Sequence, residues 1–481
     1  MQAEPYVAAL DFAELRRRLG AEMAPALLLS AASGPQGRFD LLPLTESSPL
    51  VVPYPGHPEH ARQLAAFEHQ LRSLKVGMTV DSGTPFAGGW LLYLAYEFGS
   101  VFEPSVACLQ PELDEPLALL WRVPAVLVRD RLTQRCELLG ADRENWRDRL
   151  VAASEGSGAS SALPGQGSGA SSALPGQGSG ASSALPGQGS GASSALPEQG
   201  SGVSSALRIS EDDPQRFLDG VARIHDYLLA GDVFQVNLSR AWRARAAEPI
   251  DLDALFARLT AANPAPFAAL LSHGAWGLAS SSPERLVSVR GDRVDTRPIA
   301  GTRRRDADAT VDAHLLAELQ RDPKERAEHI MLIDLERNDL GRVCVPGSVR
   351  VDELGGIESY AHVHHLVSNV SGRLREGVTV WSLLRALFPG GTITGCPKVR
   401  CMQIIGELEQ IGRGAYTGAL GYIGDDGSLD LNILIRTISV ERDRLLWRAG
   451  AGIVADSIAR RELKETRSKA LGMLRALGMA S

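Results

Sequence analysis

Cysteine is scarce. The 481 residues hold five (Cys108, Cys136, Cys344, Cys396 and Cys401), an odd number, widely scattered and without any C-x-x-C spacing. That pattern argues against a disulfide framework and against a cysteine zinc site, and it reads as reduced thiols. Cys396 lies in a glycine-rich turn with no cysteine-nucleophile signature around it, so it reads as a small packing residue. A basic excess is missing too: the net charge is −7 and is spread along the chain, which leaves no footprint for nucleic acid. No apolar run approaches the roughly 18 residues of a membrane span, and Met1-Gln-Ala-Glu-Pro lacks the basic-then-apolar order of a secretory signal. The expectation is a protein of the cytoplasm, with neither nucleic acid nor membrane as partner.

What is present is enough for a large core: 44% of residues are hydrophobic and 22% charged, and this length normally divides into two or three units. Between Gly156 and Leu207 an eleven-residue unit, Gly-Ser-Gly-Ala-Ser-Ser-Ala-Leu-Pro-Gly-Gln, begins at Gly156, Gly167, Gly178 and Gly189, with a degenerate copy from Gly200. One leucine per unit cannot offset the entropy of ordering it, so residues 151–208 read as a flexible linker. A Gly/Ser-rich coil of about fifty residues spans about 40 Å root-mean-square. The linker divides residues 1–150 from 209–481 without requiring two independent folds.

Strand-like runs occur at Ala26–Ser30, Val123–Val128, Val233–Leu238, Trp276–Ala279, Leu286–Val289, Gly418–Ile423, Leu431–Ile438 and Leu445–Arg448. The stretch Phe86-Ala-Gly-Gly-Trp-Leu-Leu-Tyr-Leu-Ala-Tyr-Glu97 reads as core packing. Asp213 and Pro214 form a cap and first helical residue for Phe217, Val221, Ile224 and Leu228, which follow at helical spacing to a stop near Gly231. Further helices are expected at about 310–335, 378–388, 397–409 and 460–477. Strands in adjacent series with helices grouped elsewhere predict an α+β fold with largely antiparallel sheets.

The strongest chemical signal is the turn Phe388-Pro-Gly-Gly-Thr-Ile-Thr-Gly-Cys-Pro-Lys398, flanked in sequence by the pairs Glu325/Glu328 and Glu462/Glu465. Spacing of i,i+3 puts both carboxylates of a pair on one helix face. Two such faces suit Mg²⁺, which prefers carboxylate oxygens, keeps water, and is completed by substrate anions. Either pair alone would be an ordinary solvated helix face.

Other segments complete a set: Gly231-Asp-Val-Phe-Gln-Val-Asn-Leu-Ser239, Ser281-Ser-Pro-Glu-Arg285, Arg297-Pro-Ile-Ala-Gly-Thr-Arg303, Glu328 through Leu340, His362-Val-His-His-Leu-Val-Ser368, Ile435-Arg-Thr437 and Ala449-Gly-Ala-Gly-Ile-Val454. In type and order this set resembles the chorismate-utilising enzymes, specifically the large ammonia-using subunits of anthranilate synthase and aminodeoxychorismate synthase. The resemblance covers nearly all of residues 209–481. It implies antiparallel sheets packed as a sandwich with helices outside, residues 1–150 forming the N-terminal part of that fold and 209–481 the chorismate-binding catalytic region.

The resemblance also implies roles. Glu328 and Glu465 would bind Mg²⁺ directly, with Glu325 and Glu462 acting through water, and the ion would clamp the ring carboxylate of chorismate. Arg436 and Tyr416 would hold the enolpyruvyl carboxylate, with Lys469, Thr392, Thr302 and the backbone at Gly452 completing the anion site. His365 and Glu284 are the candidates to protonate the departing ring hydroxyl, while His362 and His364 read as structural neighbours. Water-adding relatives carry a lysine base where this chain has Gln235, and a neutral amide cannot activate water. Ammonia is then the nucleophile. The chain shows no glutaminase signature, so ammonia would come from a separate glutamine amidotransferase subunit or from free ammonium.

Product choice rests on conflicting residues. Asn237, the His364-His365-Leu run and the Gly-Gly-Trp-Leu-Leu-Tyr-Leu-Ala-Tyr-Glu stretch resemble the aminodeoxychorismate branch, and Leu41-Leu-Pro-Leu-Thr-Glu-Ser47 is only a loose echo of the Leu-Leu-Glu-Ser tryptophan motif. Ala300, in Pro-Ile-Ala-Gly-Thr, follows the anthranilate pattern instead of the lysine of many aminodeoxychorismate synthases. The expectation is 4-amino-4-deoxychorismate, on the way to 4-aminobenzoate and folate. Anthranilate is the alternative. A catalytically inactive chorismate-binding homologue is the non-enzymatic reading, and the intact glutamates stand against it.

Overall fold

The computed structural model describes residues 11–32, 37–77, 85–155, 207–306, 308–360 and 363–479. The repeat lies outside them, as does His362. The helix Arg143–Glu155 carries the chain past residue 150, and the strand Arg208–Glu211 resumes after the repeat.

Two antiparallel sheets, of 11 and 10 strands, make the frame among the described residues, each with one strand beside its main path: Arg208–Glu211 on Gln235–Arg245 in the first and Arg350–Ser359 on Val363–Arg373 in the second. The first runs in the order Gly395–Cys396, Gln235–Arg245, Arg444–Ile453, Thr437–Glu441, Trp276–Ser282, Phe267–His273, Ala26–Leu29, Phe39–Leu44, Ala125–Asp130 and Arg135–Gly140. The second runs Ile299–Arg304, Val363–Arg373, Arg293–Thr296, Arg285–Arg290, Leu429–Ile433, Ala419–Gly424, Gly89–Leu94, Ala118–Val123 and Leu50–Val52. Chain from both sides of the repeat shares each sheet: Ala26–Leu29 pairs with Phe267–His273, and Gly89–Leu94 with Ala419–Gly424.

Both sheets feed one apolar core, Leu238, Leu271 and Leu278 from the first meeting Leu92, Leu420 and Leu431 from the second. A second core lies under helices that cover the first sheet, where Phe12, Trp146, Phe256 and Met473 pack with Leu270 and Trp447. The fold is thus α+β, with a sheet-on-sheet core. No described helix is long and apolar enough to cross a membrane.

Several expected elements divide differently, each for a visible reason. Val123–Val128 is two strands in different sheets, broken at Pro124, which can donate no ladder bond. The helix expected over 310–335 is Ala309–Arg321 followed by Pro323–Gly341, with Pro323 opening the second. The strand expected at Val233–Leu238 begins at Gln235 and continues to Arg245. Leu431–Ile438 is also two strands, because the chain leaves the second sheet after Ile433 and joins the first at Thr437. Asp213 caps the helix Pro214–Leu229 as expected, accepting from the Gln215 N–H.

Candidate active site

The chain crosses between the sheets at two adjacent places, and each crossing delivers a charged residue. Ser282 ends a strand of the first sheet and Arg285 begins one of the second, leaving Pro283 and Glu284 between them. The return crossing, Leu434 to Arg436, is tied to it: Ile433 N–H donates to the Glu284 carbonyl at 3.0 Å, and Ser281 N–H to the Arg436 carbonyl at 3.1 Å. Arg436 takes φ +52°, a left-handed conformation that non-glycine residues rarely adopt and that persists only where the surroundings fix it.

Between these crossings and two helices lies a cavity of about 730 Å³. The helix Pro323–Gly341 brings Glu325 and Glu328 to it, and the helix Ala459–Ala476 brings Glu462, Glu465 and Lys469. Gln235, Asn237, Glu284, Ala300, His365, Thr392, Tyr416, Arg436 and Gly452 line the same cavity. Sequence reasoning therefore selected residues that the fold gathers. Thr302 stands opposite His365 in the pairing of Ile299–Arg304 with Val363–Arg373, and its side chain falls outside the described set.

The lining of the cavity runs from buried to exposed side chains. Glu284 is 5% exposed and His365 2%. Burial pushes the Glu284 carboxyl up to about 7, against the pull of the Thr392 hydroxyl, the Ile299 amide and the charges of Lys469 and Arg436. Burial, helped by the charges of Arg436, His364 and Lys469, pushes the His365 imidazole down to about 3. At neutral pH the histidine is therefore uncharged. The Glu465 and Lys469 side chains are 48% and 47% exposed and ion-paired at 2.8 Å.

Close contacts hold the walls. A Cβ on Gly452 would stand 2.1 Å from Gln235 Nε2, so only glycine lets this amide fold against the strand. Gln235 and Asn237, two apart on one strand, face the same way. Their side-chain oxygens, Gln235 Oε1 and Asn237 Oδ1, are buried and accept no hydrogen bond. His364 points elsewhere: its ring nitrogens reach Asp312 Oδ1 at 3.0 Å and Ser359 Oγ at 2.7 Å. Lys398, at the end of the glycine-rich turn, reaches Asp339 Oδ2 at 2.5 Å and the Leu387 carbonyl at 2.9 Å.

Four carboxylates from two helices line this one cavity, and carboxylate oxygens are the donors that a hard divalent cation such as Mg²⁺ prefers. Glu325 is ion-paired with Arg303 at 3.0 Å and Glu465 with Lys469 at 2.8 Å. Among the described residues no three acidic, histidine or cysteine side chains converge closely enough to form a ready-made site. The residues fit an ion that is completed by water and by the substrate's own carboxylate rather than a closed protein cage. Sequence reasoning gave Arg303 no role, although it ends the quoted Arg297–Arg303 segment; its ties to Asp322 at 2.9 Å and Glu325 could not be read without the fold. Arg448, which also lines the cavity, was missed outright.

Residues 28–475 match the family described as chorismate binding enzyme. An anthranilate synthase component I-like protein of Synechocystis is 49% identical over 418 residues, covering 86% of this chain and 77% of its own length. Aminodeoxychorismate synthase component 1 of Bacillus subtilis is 48% identical over 265 residues, 55% of this chain and 56% of that protein. Anthranilate synthase component 1 of Synechocystis is 47% identical over 280 residues, 56% of this chain and 54% of that one. The matches thus span about half the length of the latter two. Among solved structures, anthranilate synthase component I from Streptococcus pneumoniae superposes with TM-score 0.71 at 28% identity, covering 92% of this chain and 93% of that chain. The menaquinone-specific isochorismate synthase of Escherichia coli shares the fold, with TM-score 0.66 at 18% identity over 99% and 93% of the two chains. The chain belongs to the chorismate-binding enzymes, of the type that includes anthranilate synthase component I and aminodeoxychorismate synthase component I.

Proposed function

We propose that the protein aminates chorismate with ammonia delivered by a separate glutamine amidotransferase, and that the product is 4-amino-4-deoxychorismate. The observation that carries the choice of nucleophile is the pair of unfilled acceptors, Gln235 Oε1 and Asn237 Oδ1, on the cavity wall. Ammonia offers three N–H donors to such oxygens and attacks with its own lone pair. Water would need a base, and neither amide can be one.

Glu328 and Glu465 would hold Mg²⁺, with Glu325 and Glu462 acting through water; when bound, the ion supplies a Lewis-acid clamp for the ring carboxylate. Arg436 and Tyr416 take the enolpyruvyl carboxylate, with Lys469, Thr392, Thr302 and the Gly452 backbone completing the anion site. Glu284 donates the proton. The C–N bond forms as the ring C–O bond breaks, and the hydroxyl leaves as water carrying the Glu284 proton. A carboxyl near 7 is half-protonated at neutral pH, which suits a general acid. Neutral His365 orients the departing hydroxyl by hydrogen bonding.

Asn237 favours amination at C4, by its likeness to the aminodeoxychorismate branch. Ala300 favours the second reading, anthranilate formation, because a methyl group in the cavity wall offers no nucleophile for a covalent ring intermediate. On the first reading ammonia enters C4 directly. The test is consumption of chorismate with ammonium as sole nitrogen source, expected to require Mg²⁺ and to stop with EDTA. Absence of turnover at high enzyme concentration would leave a chorismate-binding protein without chemistry.

A further inference from the structure

The stretch Phe86–Glu97 reads from sequence as core packing, and its strand Gly89–Leu94 is almost wholly buried. Its last residue is a carboxylate, only 5% exposed. Glu97 uses both oxygens. Oε1 accepts from the Arg413 N–H at 2.6 Å, and Oε2 accepts from the Gly414 N–H at 3.1 Å and the Tyr54 hydroxyl at 2.9 Å. A second buried carboxylate, Glu115 at 6% exposure, accepts from the Ala415 N–H at 3.3 Å. Three successive backbone N–H groups of the C-terminal region are thus held by two acids from the N-terminal region.

The fit is close. Gly414 takes φ +60°, and a Cβ there would lie 1.5 Å from Glu115 Oε1, so the carboxylate fills space that only glycine leaves. The Gly414 carbonyl in turn accepts from the Tyr96 N–H at 2.9 Å. On the far side the Arg413 guanidinium donates to the Asn237 carbonyl at 2.7 Å, the Ile393 carbonyl at 3.1 Å and Glu409 Oε1 at 2.7 Å. One turn therefore ties the N-terminal region to the strand of Gln235 and Asn237 and to the glycine-rich turn. Tyr416, next in sequence, lines the cavity.

Two buried acids are a costly way to fill a core, since desolvation penalises each charge and burial pushes both carboxyls up. What the acids add is direction: fixed acceptors for three donors that a core of leucines would leave unmet.

We propose that Glu97 and Glu115 are positioning residues of the active site, holding the Arg413–Ala415 turn so that Tyr416 meets the substrate carboxylate. The proposal rests on the reading of Tyr416 as a carboxylate-binding residue.

Glu97→Gln tests it, because the amide keeps the size of the side chain but sets a nitrogen donor against a backbone or tyrosine donor. The expected result is a KM for chorismate raised about tenfold with kcat within about twofold, the pattern of lost substrate binding. Hydrogen exchange should quicken in the peptide around 413–417 and stay unchanged in both sheets. In a Tyr416→Phe background the same substitution should add less than about twofold, because the group it positions is already gone. Tyr54→Phe removes one bond to Glu97 and leaves the carboxylate in place; it should raise KM about two- to threefold, and it serves as the test if Glu97→Gln does not fold. A lowered Tm with unchanged KM, or an equal KM effect with and without the Tyr416 hydroxyl, would overturn the proposal and leave the role of Tyr416 standing. An unchanged KM in Tyr416→Phe would remove that role and the proposal together.

Discussion

At the scale of single residues, Glu284 and His365 exchange the parts that their ordinary titration would assign. The carboxyl, buried where the two sheets part, holds its proton to about pH 7, while the imidazole is neutral above about pH 3. A general acid must start protonated. With the concentration of free ammonia held constant across the series, the profile of kcat/KM for chorismate should therefore be level below about pH 7 and fall about tenfold per pH unit above it. Glu284→Gln, which has no proton to give, should lower kcat by at least about 100-fold and flatten the alkaline limb. A wild-type profile that stays level to pH 9 at constant free ammonia would contradict the assignment. Gln235→Lys replaces an acceptor with a cation and should cut ammonia-dependent turnover at least about tenfold, read as aminated product by mass spectrometry. The residues themselves were legible, Glu284 through Ser-Pro-Glu-Arg and Gln235 through Gln-Val-Asn-Leu. Their burial was not, because it comes from elements distant in sequence: Thr392 and Ile299 beside Glu284, Gly452 against Gln235.

Elements decide where the charge goes. The helices Pro323–Gly341 and Ala459–Ala476 face their glutamates into one cavity, as the i,i+3 spacing suggested, and Glu328→Gln or Glu465→Gln should each reduce turnover at least about 100-fold at any Mg²⁺ concentration. Full activity in either variant would refute that residue as a ligand. The breaks between consecutive elements were harder to foresee. Pro124 and Pro323 announce theirs once the fold is known, but nothing in Asn-Ile-Leu-Ile-Arg-Thr marks the crossing that leaves Arg436 at φ +52°. A run of β-branched and aliphatic residues looks the same whether it stays in one sheet or passes between two. Arg436→Lys keeps the charge and loses the planar fork, and it should raise the KM for chorismate about tenfold or more.

For the whole molecule, the repeat interrupts the sequence without interrupting the fold. Strands from before and after it pair in both sheets, so residues 11–155 cannot complete either sheet alone. Replacing residues 156–206 by a shorter Gly/Ser linker should leave kcat/KM within about twofold and Tm within a few degrees, because the unit offers too little apolar surface to pack. The shared sheets also give the N-terminal region its hold on the active site through Glu115 and through Glu97, whose stretch Phe86–Glu97 reads from sequence as core packing. The central claim is the identity of the product, and mass spectrometry of the reaction of chorismate, Mg²⁺ and ammonium, with and without added aminodeoxychorismate lyase, tests it most directly. The account predicts a stable aminated chorismate that becomes 4-aminobenzoate only when the lyase is present. Anthranilate formed without the lyase would contradict it and make Ala300 the residue that decides the reaction.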